Sequence, residues 1–152
     1  FTVEAIVLIN TLTTDRGNVV FDNTNSSADR VGVNVRNGRV NFGIYNGSTW
    51  SEVSSNAALT IGQYYRVSAV NEAGVLKLYI DGVAQSATTG DRYAFSNGKF
   101  LIGRNENDAG SFDGQISDVR IWNAARTQAA ITADKAQRLA GTETNLIAYW
   151  PM

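Results

Sequence analysis

No histidine and no cysteine occur among the 152 residues, and proline and methionine appear once each. Without histidine the chain lacks the commonest general base and the commonest transition-metal ligand. Without cysteine it can form neither a disulfide framework nor a zinc–thiolate site. That absence does not point to the cytosol, because bacterial secreted sandwiches often do without disulfides. Most enzymatic readings weaken on these two absences. An excess of one charge is missing too: 13 Lys and Arg against 14 Asp and Glu leave a net charge of −1. With no basic run, neither nucleic acid nor an anionic membrane is expected as the main partner. The longest apolar run, Ala5 to Ile9, falls far short of the roughly 20 residues that span a bilayer, so membrane insertion is not expected either.

What the chain has in quantity is Asn, Gly, Ser and Thr, the composition of a turn-dense, polar-surfaced extracellular all-β module. Its length suits one domain, residues 1–152, with a core able to sustain itself. The organising stretch is Phe112 to Asn123. Phe112, Gly114 and Ile116 alternate on one face, whereas Val119 and Ile121 carry the alternation on the opposite parity, which predicts a bulge near Ser117-Asp118.

Asn37-Gly38 tolerates the positive φ angles of a type I′ turn and predicts a hairpin from Arg30 to Tyr45. The register that follows sets Val35 beside Val40, Val33 beside Phe42 and Val31 beside Ile44 on one face. The opposite face carries Asn34 with Asn41, Gly32 with Gly43 and Arg30 with Tyr45. That face reads either as a solvated outer surface or as a shallow shelf for a sugar or peptide. Trp50, after the second Asn-Gly at Asn46-Gly47, either covers the sandwich edge or offers a ring on which a sugar stacks. A further hairpin joins Gly62–Val70 to Val75–Val83 through a turn at Asn71 to Gly74, and Asp81-Gly82 folds the chain back again. The segment from Ser86 to Gly98 reads as a loop anchored by Tyr93 and Phe95. Thr127 is a plausible N-cap for a helix from Gln128 to Leu139, closed by Gly141 and capping the sandwich. Trp122 and Trp150 read as core residues.

Leu78-Tyr79-Ile80-Asp81-Gly82, the Phe112–Asn123 stretch with Leu101-Ile102-Gly103-Arg104 before it, and the closing Leu146–Trp150 segment together resemble the laminin-G-like, concanavalin A-like jelly-roll modules. The resemblance runs over nearly the whole chain and implies an all-β fold: a two-sheet antiparallel jelly-roll sandwich of about a dozen strands with one short C-terminal helix. It is specific for fold and only weakly so for function, since lectins, adhesion modules and glycanases share that sandwich. It makes calcium a plausible cofactor. Two loops qualify by their oxygens: Asn105, Asn107 and Asp108 with Asp113, and alternatively Asp22 and Asp29. Neither has EF-hand spacing, and the bland alternative is that these residues satisfy turn backbone. The glucanase signature Glu-x-Asp-x-x-Glu is incomplete, because Glu106-Asn107-Asp108 is followed by Ser111 where the second Glu belongs.

The expectation is therefore a non-catalytic recognition module of a secreted or cell-surface protein, bacterial in character, binding a glycan or an extracellular protein through Tyr45, Trp50, Asn34, Asn41 and Arg30. The rival readings are a structural repeat of an adhesin or fibre and, more remotely, a glycoside hydrolase. The resemblance also implies an opening strand, Leu-x-Phe-Asp-Gly, that has no counterpart before Phe1. Its absence predicts a vacant slot near the centre of the sheet, beside Val119 and Ala148. The chain would then be part of a longer polypeptide, bridge the slot with a shifted strand, or accept a strand from another subunit.

Overall fold

A computed structural model describes residues 1–12, 16–23, 30–93, 100–105 and 110–152. Among these, eleven strands and one helix form a two-layer sandwich. The six-stranded sheet has the order β11 (Leu146–Trp150), β10 (Gly114–Trp122), β1 (Thr2–Ile9), β6 (Tyr64–Glu72), β7 (Val75–Ile80) and β8 (Val83–Thr89). The five-stranded sheet runs β5 (Trp50–Ser54), β4 (Arg39–Tyr45), β3 (Arg30–Arg36), β2 (Gly17–Asn23) and β9 (Phe100–Ile102). Every strand pair is antiparallel. The two inner faces close over Val3, Val7, Val33, Phe42, Val67, Leu76, Leu78 and Ile121, all buried. This is the expected jelly-roll sandwich.

Local chemistry explains the hairpins. Asn37 and Gly38 have φ of 52° and 70°, and Asp81 and Gly82 have 52° and 81°, the double positive φ of a type I′ turn. The β3–β4 register is the expected one, from Arg30 opposite Tyr45 to Arg36 opposite Arg39. The turn between β6 and β7 is tighter than expected: Glu72 pairs with Val75, so Ala73 and Gly74 alone make it, at φ 51° and 93°. Asn71 Oδ1 accepts from the Gly74 amide at 3.0 Å, which holds Ala in a region its Cβ disfavours. The bulge lies where the parity change put it. Glu4 faces Arg120 and Ile6 faces Ser117, so Asp118 and Val119 together oppose one residue, and Asp118 takes the left-handed conformation at φ 48°.

Three expectations need correction. The central slot is not vacant: β10 lies between β1 and β11, so Val119 has neighbours on both sides, and Ala148 pairs with Ile121. β11 is the outermost strand of the sheet and, among the described residues, pairs only with β10, so the edge beside Ala148 lies at the rim of the sheet and not at its centre. The helix, α1 (Gln128–Asp134), starts at the expected N-cap, whose hydroxyl accepts from the Ala130 amide, but it stops five residues before Leu139. Its last carbonyls are met by side chains from the sheet, as described below, and the chain then turns away. Finally, strand β8 extends to Thr89, where a loop was expected to begin at Ser86: Ala87, Thr88 and Thr89 pair with Lys77, Leu76 and Val75 of β7, and Ser86 Oγ donates at 2.7 Å to Asn56 Oδ1 in the loop after β5. Phe95 lies outside the described residues, whereas Tyr93 packs on the core.

Candidate functional site

Strand parity builds the site. With Val31, Val33, Val35, Val40, Phe42, Ile44 and Val53 in the core, the alternate residues of β3, β4 and β5 face outward. Gly32 lies opposite Gly43 on this face and leaves a strip of bare backbone. Two rings lie over it. A Cβ on Gly43 would stand 3.1 Å from the indole of Trp50, and one on Gly32 would stand 3.3 Å from the ring of Phe21. Tyr45 and Trp50, paired across β4 and β5, tilt at 37° with centroids 5.5 Å apart. Trp50 keeps 38% of its surface exposed. The Arg16 guanidinium lies 5.5 Å from the Trp50 ring centre, and that of Arg30 lies 5.9 Å from the Tyr45 ring centre.

The expected residues divide into two groups. Tyr45, Trp50 and Arg30 come together on this face. Asn34 and Asn41 share the face but are buried under their neighbours, each 3% exposed. Asn41 donates to Asn34 Oδ1 at 3.4 Å and to the Arg39 carbonyl at 3.0 Å, and accepts from Ser54 Oγ at 2.6 Å. Their amides therefore hold the strands together and do not reach a ligand. Sequence reasoning missed Arg16, Phe21, Arg36, Arg39 and Glu52. Parity alone could have placed Arg36, Arg39 and Glu52 on this face. Arg36 pairs with Glu52 at 2.8 Å, and Arg39 donates to the Ser55 carbonyl at 2.6 Å. Arg16 arrives from another loop, and nothing local signals it.

The candidate metal residues are dispersed or engaged. Asn107, Asp108 and Asp29 lie outside the described residues. Asp113 accepts from Asn10 Nδ2 at 3.2 Å and from Thr11 Oγ1 at 2.8 Å, closing the loops at one end of the sandwich. Asn105 stands in the preceding loop and also has a partner. Asp22 points into the sandwich, fully buried, with Oδ2 accepting from the Tyr93 hydroxyl at 2.9 Å and Oδ1 unpaired. Burial pushes its carboxyl pKa up, against the opposing effect of the Tyr93 bond. Among the described residues no three acidic side chains gather into a metal-sized group.

The other sheet carries a buried charge network on its outer face, between the strands and α1. Glu4, 1% exposed, accepts from Trp122 Nε1 at 3.1 Å and from Arg126 at 3.4 Å. Arg120, fully buried, binds both oxygens of Asp118 and donates to the carbonyls of Asp134 and Gln137. Arg66 binds Asp118 and the Lys135 carbonyl. The arginines thus meet the orphan carbonyls at the helix end and pin it to the sheet. A cleft of about 290 Å³ opens beside them, lined by Arg66, Asp118 and Tyr149 among others, but their hydrogen bonds are directed to one another and to the helix.

The model of the laminin-G-like family described as the concanavalin A-like lectin/glucanases superfamily matches residues 1–132. The chain belongs to that superfamily. No curated protein sequence matches it. Among solved structures this superfamily member is similar to a protein of Bacteroides ovatus described as carbohydrate binding, with TM-score 0.74 and 17% identity. That match covers 99% of this chain and 44% of the other, so the chain spans less than half of that protein. It is also similar to domain 4 of AbnA, an extracellular arabinanase of Geobacillus stearothermophilus solved with arabinotriose (TM-score 0.72, 23% identity, 87% and 64% of the two chains). A third is the CBM40 domain of the Ruminococcus gnavus IT-sialidase bound to α2,3-sialyllactose (TM-score 0.71, 13% identity, 87% and 80%). At these identities the likeness is one of fold.

Proposed function

We propose that this domain is a non-catalytic recognition module of a secreted or cell-surface bacterial protein, and that it binds a glycan on the Tyr45–Trp50 face of the five-stranded sheet. The observation that carries the reading is the pair of outward rings, 5.5 Å apart, on a flat, glycine-floored face. A pyranose C–H face buries well against an indole, and flanking guanidiniums donate to ring hydroxyls. Membership of a superfamily that includes lectins supports it, as do two sugar-bound neighbours of the same fold. The non-catalytic part rests on Glu4, which is locked among arginines and Trp122, and on the described residues, which offer no pair of carboxylates astride a cleft.

A glycan array probed with the multivalent domain, with and without calcium, tests the reading. Hits should weaken for Trp50→Ala by about 1–3 kcal/mol, or roughly tenfold to a hundredfold. No hit at high valency would favour the structural-repeat reading. Hits indifferent to Trp50 would move the site elsewhere. Calcium is a separate proposal, confined to the 105–113 loop. Chelator should lower the melting temperature if the ion is held there, and an unchanged melt would remove it.

A further inference from the structure

We propose that the cleft at the end of α1, on the outer face of the six-stranded sheet, is a separate site for a small oxyanionic ligand, a sugar acid or sugar phosphate of one ring. The proposal is independent of the Tyr45–Trp50 reading. Strand register makes the floor of the cleft: Ile6 faces Arg66 on β6 and Ser117 on β10, and Tyr149 of β11 faces Arg120. The bulge at Asp118 and the segment that follows α1, with Lys135 and Arg138, complete the wall around about 290 Å³. That volume is at the lower end of ligand sites, roughly 300 Å³, and suits one ring, not a chain.

Donors outnumber free acceptors in this cleft. Asp118 is the single side-chain carboxylate among the described residues of its wall, and both of its oxygens are taken, Oδ1 by Arg120 at 3.0 Å and Oδ2 by Arg120 and Arg66. Arg66 is not saturated. Its side chain is 4% exposed, and its bonds to the Lys135 carbonyl, the Asp118 carbonyl and the Asp118 carboxylate use three of the five N–H donors of a guanidinium. A buried cationic donor left unpaired is costly, so a ligand that meets the remaining two gains from them. Lys135 and Arg138 add two exposed cations. Arg138 has no ion-pair partner among the described residues. Lys135 reaches the Asp81 carbonyl at 3.4 Å, whereas the Asp81 carboxylate accepts the Arg66 amide at 2.8 Å. Because Arg66, Arg120 and Arg126 are balanced by Glu4, Asp118 and Asp134, Lys135 and Arg138 set the sign of the cleft. The last carbonyls of the helix, whose dipole opposes an anion, are already met by Arg66 and Arg120. An oxyanion there takes charge-assisted hydrogen bonds, and Ile6 and Tyr149 give the body of the ligand apolar surface.

Calorimetry at constant ionic strength, with D-glucuronate and glucose 6-phosphate against glucose, tests the proposal. At least one acid should bind about tenfold more tightly than glucose, the scale of one charge-assisted bond, and the stronger of the two names the source of the oxyanion. Arg138→Gln and Lys135→Gln, both at exposed positions, should each weaken that binding several-fold. Arg92→Gln, which removes the same charge beside the β6–β7 turn, should leave it unchanged. Trp50→Ala should leave it unchanged as well, so that the fate of this site and that of the Trp50 face are read separately. Acids that bind no better than glucose, or do not bind, would overturn the proposal. So would binding that ignores both Arg138 and Lys135, or that falls equally in Arg92→Gln. Inorganic phosphate binding as tightly as the sugar acids would reduce the cleft to a bare anion patch and overturn it too.

Discussion

Replacing Arg120 by Met tests whether the buried charge network, and not apolar contact alone, fastens α1 to the six-stranded sheet. The network balances three cations, Arg66, Arg120 and Arg126, against three carboxylates, Glu4, Asp118 and Asp134. Met fills much of the volume but leaves a net negative charge in a region where Glu4 is 1% exposed, and strips a donor from the Asp134 and Gln137 carbonyls. Breaking a buried ionic group by removing one partner costs about 3–5 kcal/mol. The lower end is expected here, because Arg66 still holds Asp118 and Arg126 still holds Glu4. At about 2–4 °C per kcal/mol for a chain of this size, the melting temperature should fall by roughly 6–12 °C. Urea titration followed by circular dichroism gives the free energy, and an unchanged slope shows that the folded state is intact. Adding Glu4→Gln removes the unbalanced charge and should recover about 1–2 kcal/mol, a coupling that a double-mutant cycle reads directly. A single-mutant loss under about 1 kcal/mol, or no recovery in the double, would refute the charge-balance account. Because the face proposed to bind glycan is on the other sheet, any Trp50-dependent binding should survive in Arg120→Met below its melting range.

Three further expectations follow from the same geometry. Burial opposes ionisation of Asp118, but bonds from Arg120 and Arg66 outweigh it and hold its pKa below the ordinary carboxylate value. Its contribution to stability is therefore present above the unfolded pKa and lost as pH falls through the folded one, so Asp118→Asn should be least costly in acid melts and most costly at neutral pH. Asp22 has the opposite sign. Its raised pKa means that stability is lost as pH rises from the unfolded value through the folded one, so Asp22→Asn should melt higher than the parent at pH 7, with the gap closing near pH 4. An Asp22→Asn variant that melts lower at pH 7 would show that the unpaired Oδ1 is satisfied in solution. Gly43→Ala places a methyl group 3.1 Å from the Trp50 ring and 3.3 Å from the Ser51 carbonyl. It should lift the indole off the strip and weaken glycan binding several-fold while the fold persists; unaltered affinity would mean that the ring does not need its seat on the backbone.

Much of this protein is written in short-range rules. Asn37-Gly38 and Asp81-Gly82 admit the positive φ of two-residue turns, and once a turn is set, the period of two assigns every side chain of both strands to a face. That is why the pairings Val33–Phe42, Gly32–Gly43 and Arg30–Tyr45 could be read in advance, as could the bulge at Asp118, where apolar parity changes within one strand. Thr127 announced the helix start because an N-cap acts over three residues. The helix end could not be read this way: α1 stops where Arg66 and Arg120, distant in sequence, reach its carbonyls.

The residues that could be placed on the candidate face were likewise those of the β3–β4 hairpin and of β5, the strand that follows it. Their fates were not legible, since Asn34 and Asn41 are covered and satisfied by Ser54 and the Arg39 carbonyl, whereas Tyr45 and Trp50 stay open. A period gives the face a side chain takes but not what settles over that face. Arg16 above Trp50 and Glu4 between Trp122 and Arg126 are meetings of segments far apart in the chain. Turns, registers and the apolar alternation of the strands could be read from the chain because near neighbours enforce them. The tertiary structure alone decided which polar groups are spent inside the fold and which remain for a ligand, because that depends on contacts closed only when the two sheets and the helix are packed together.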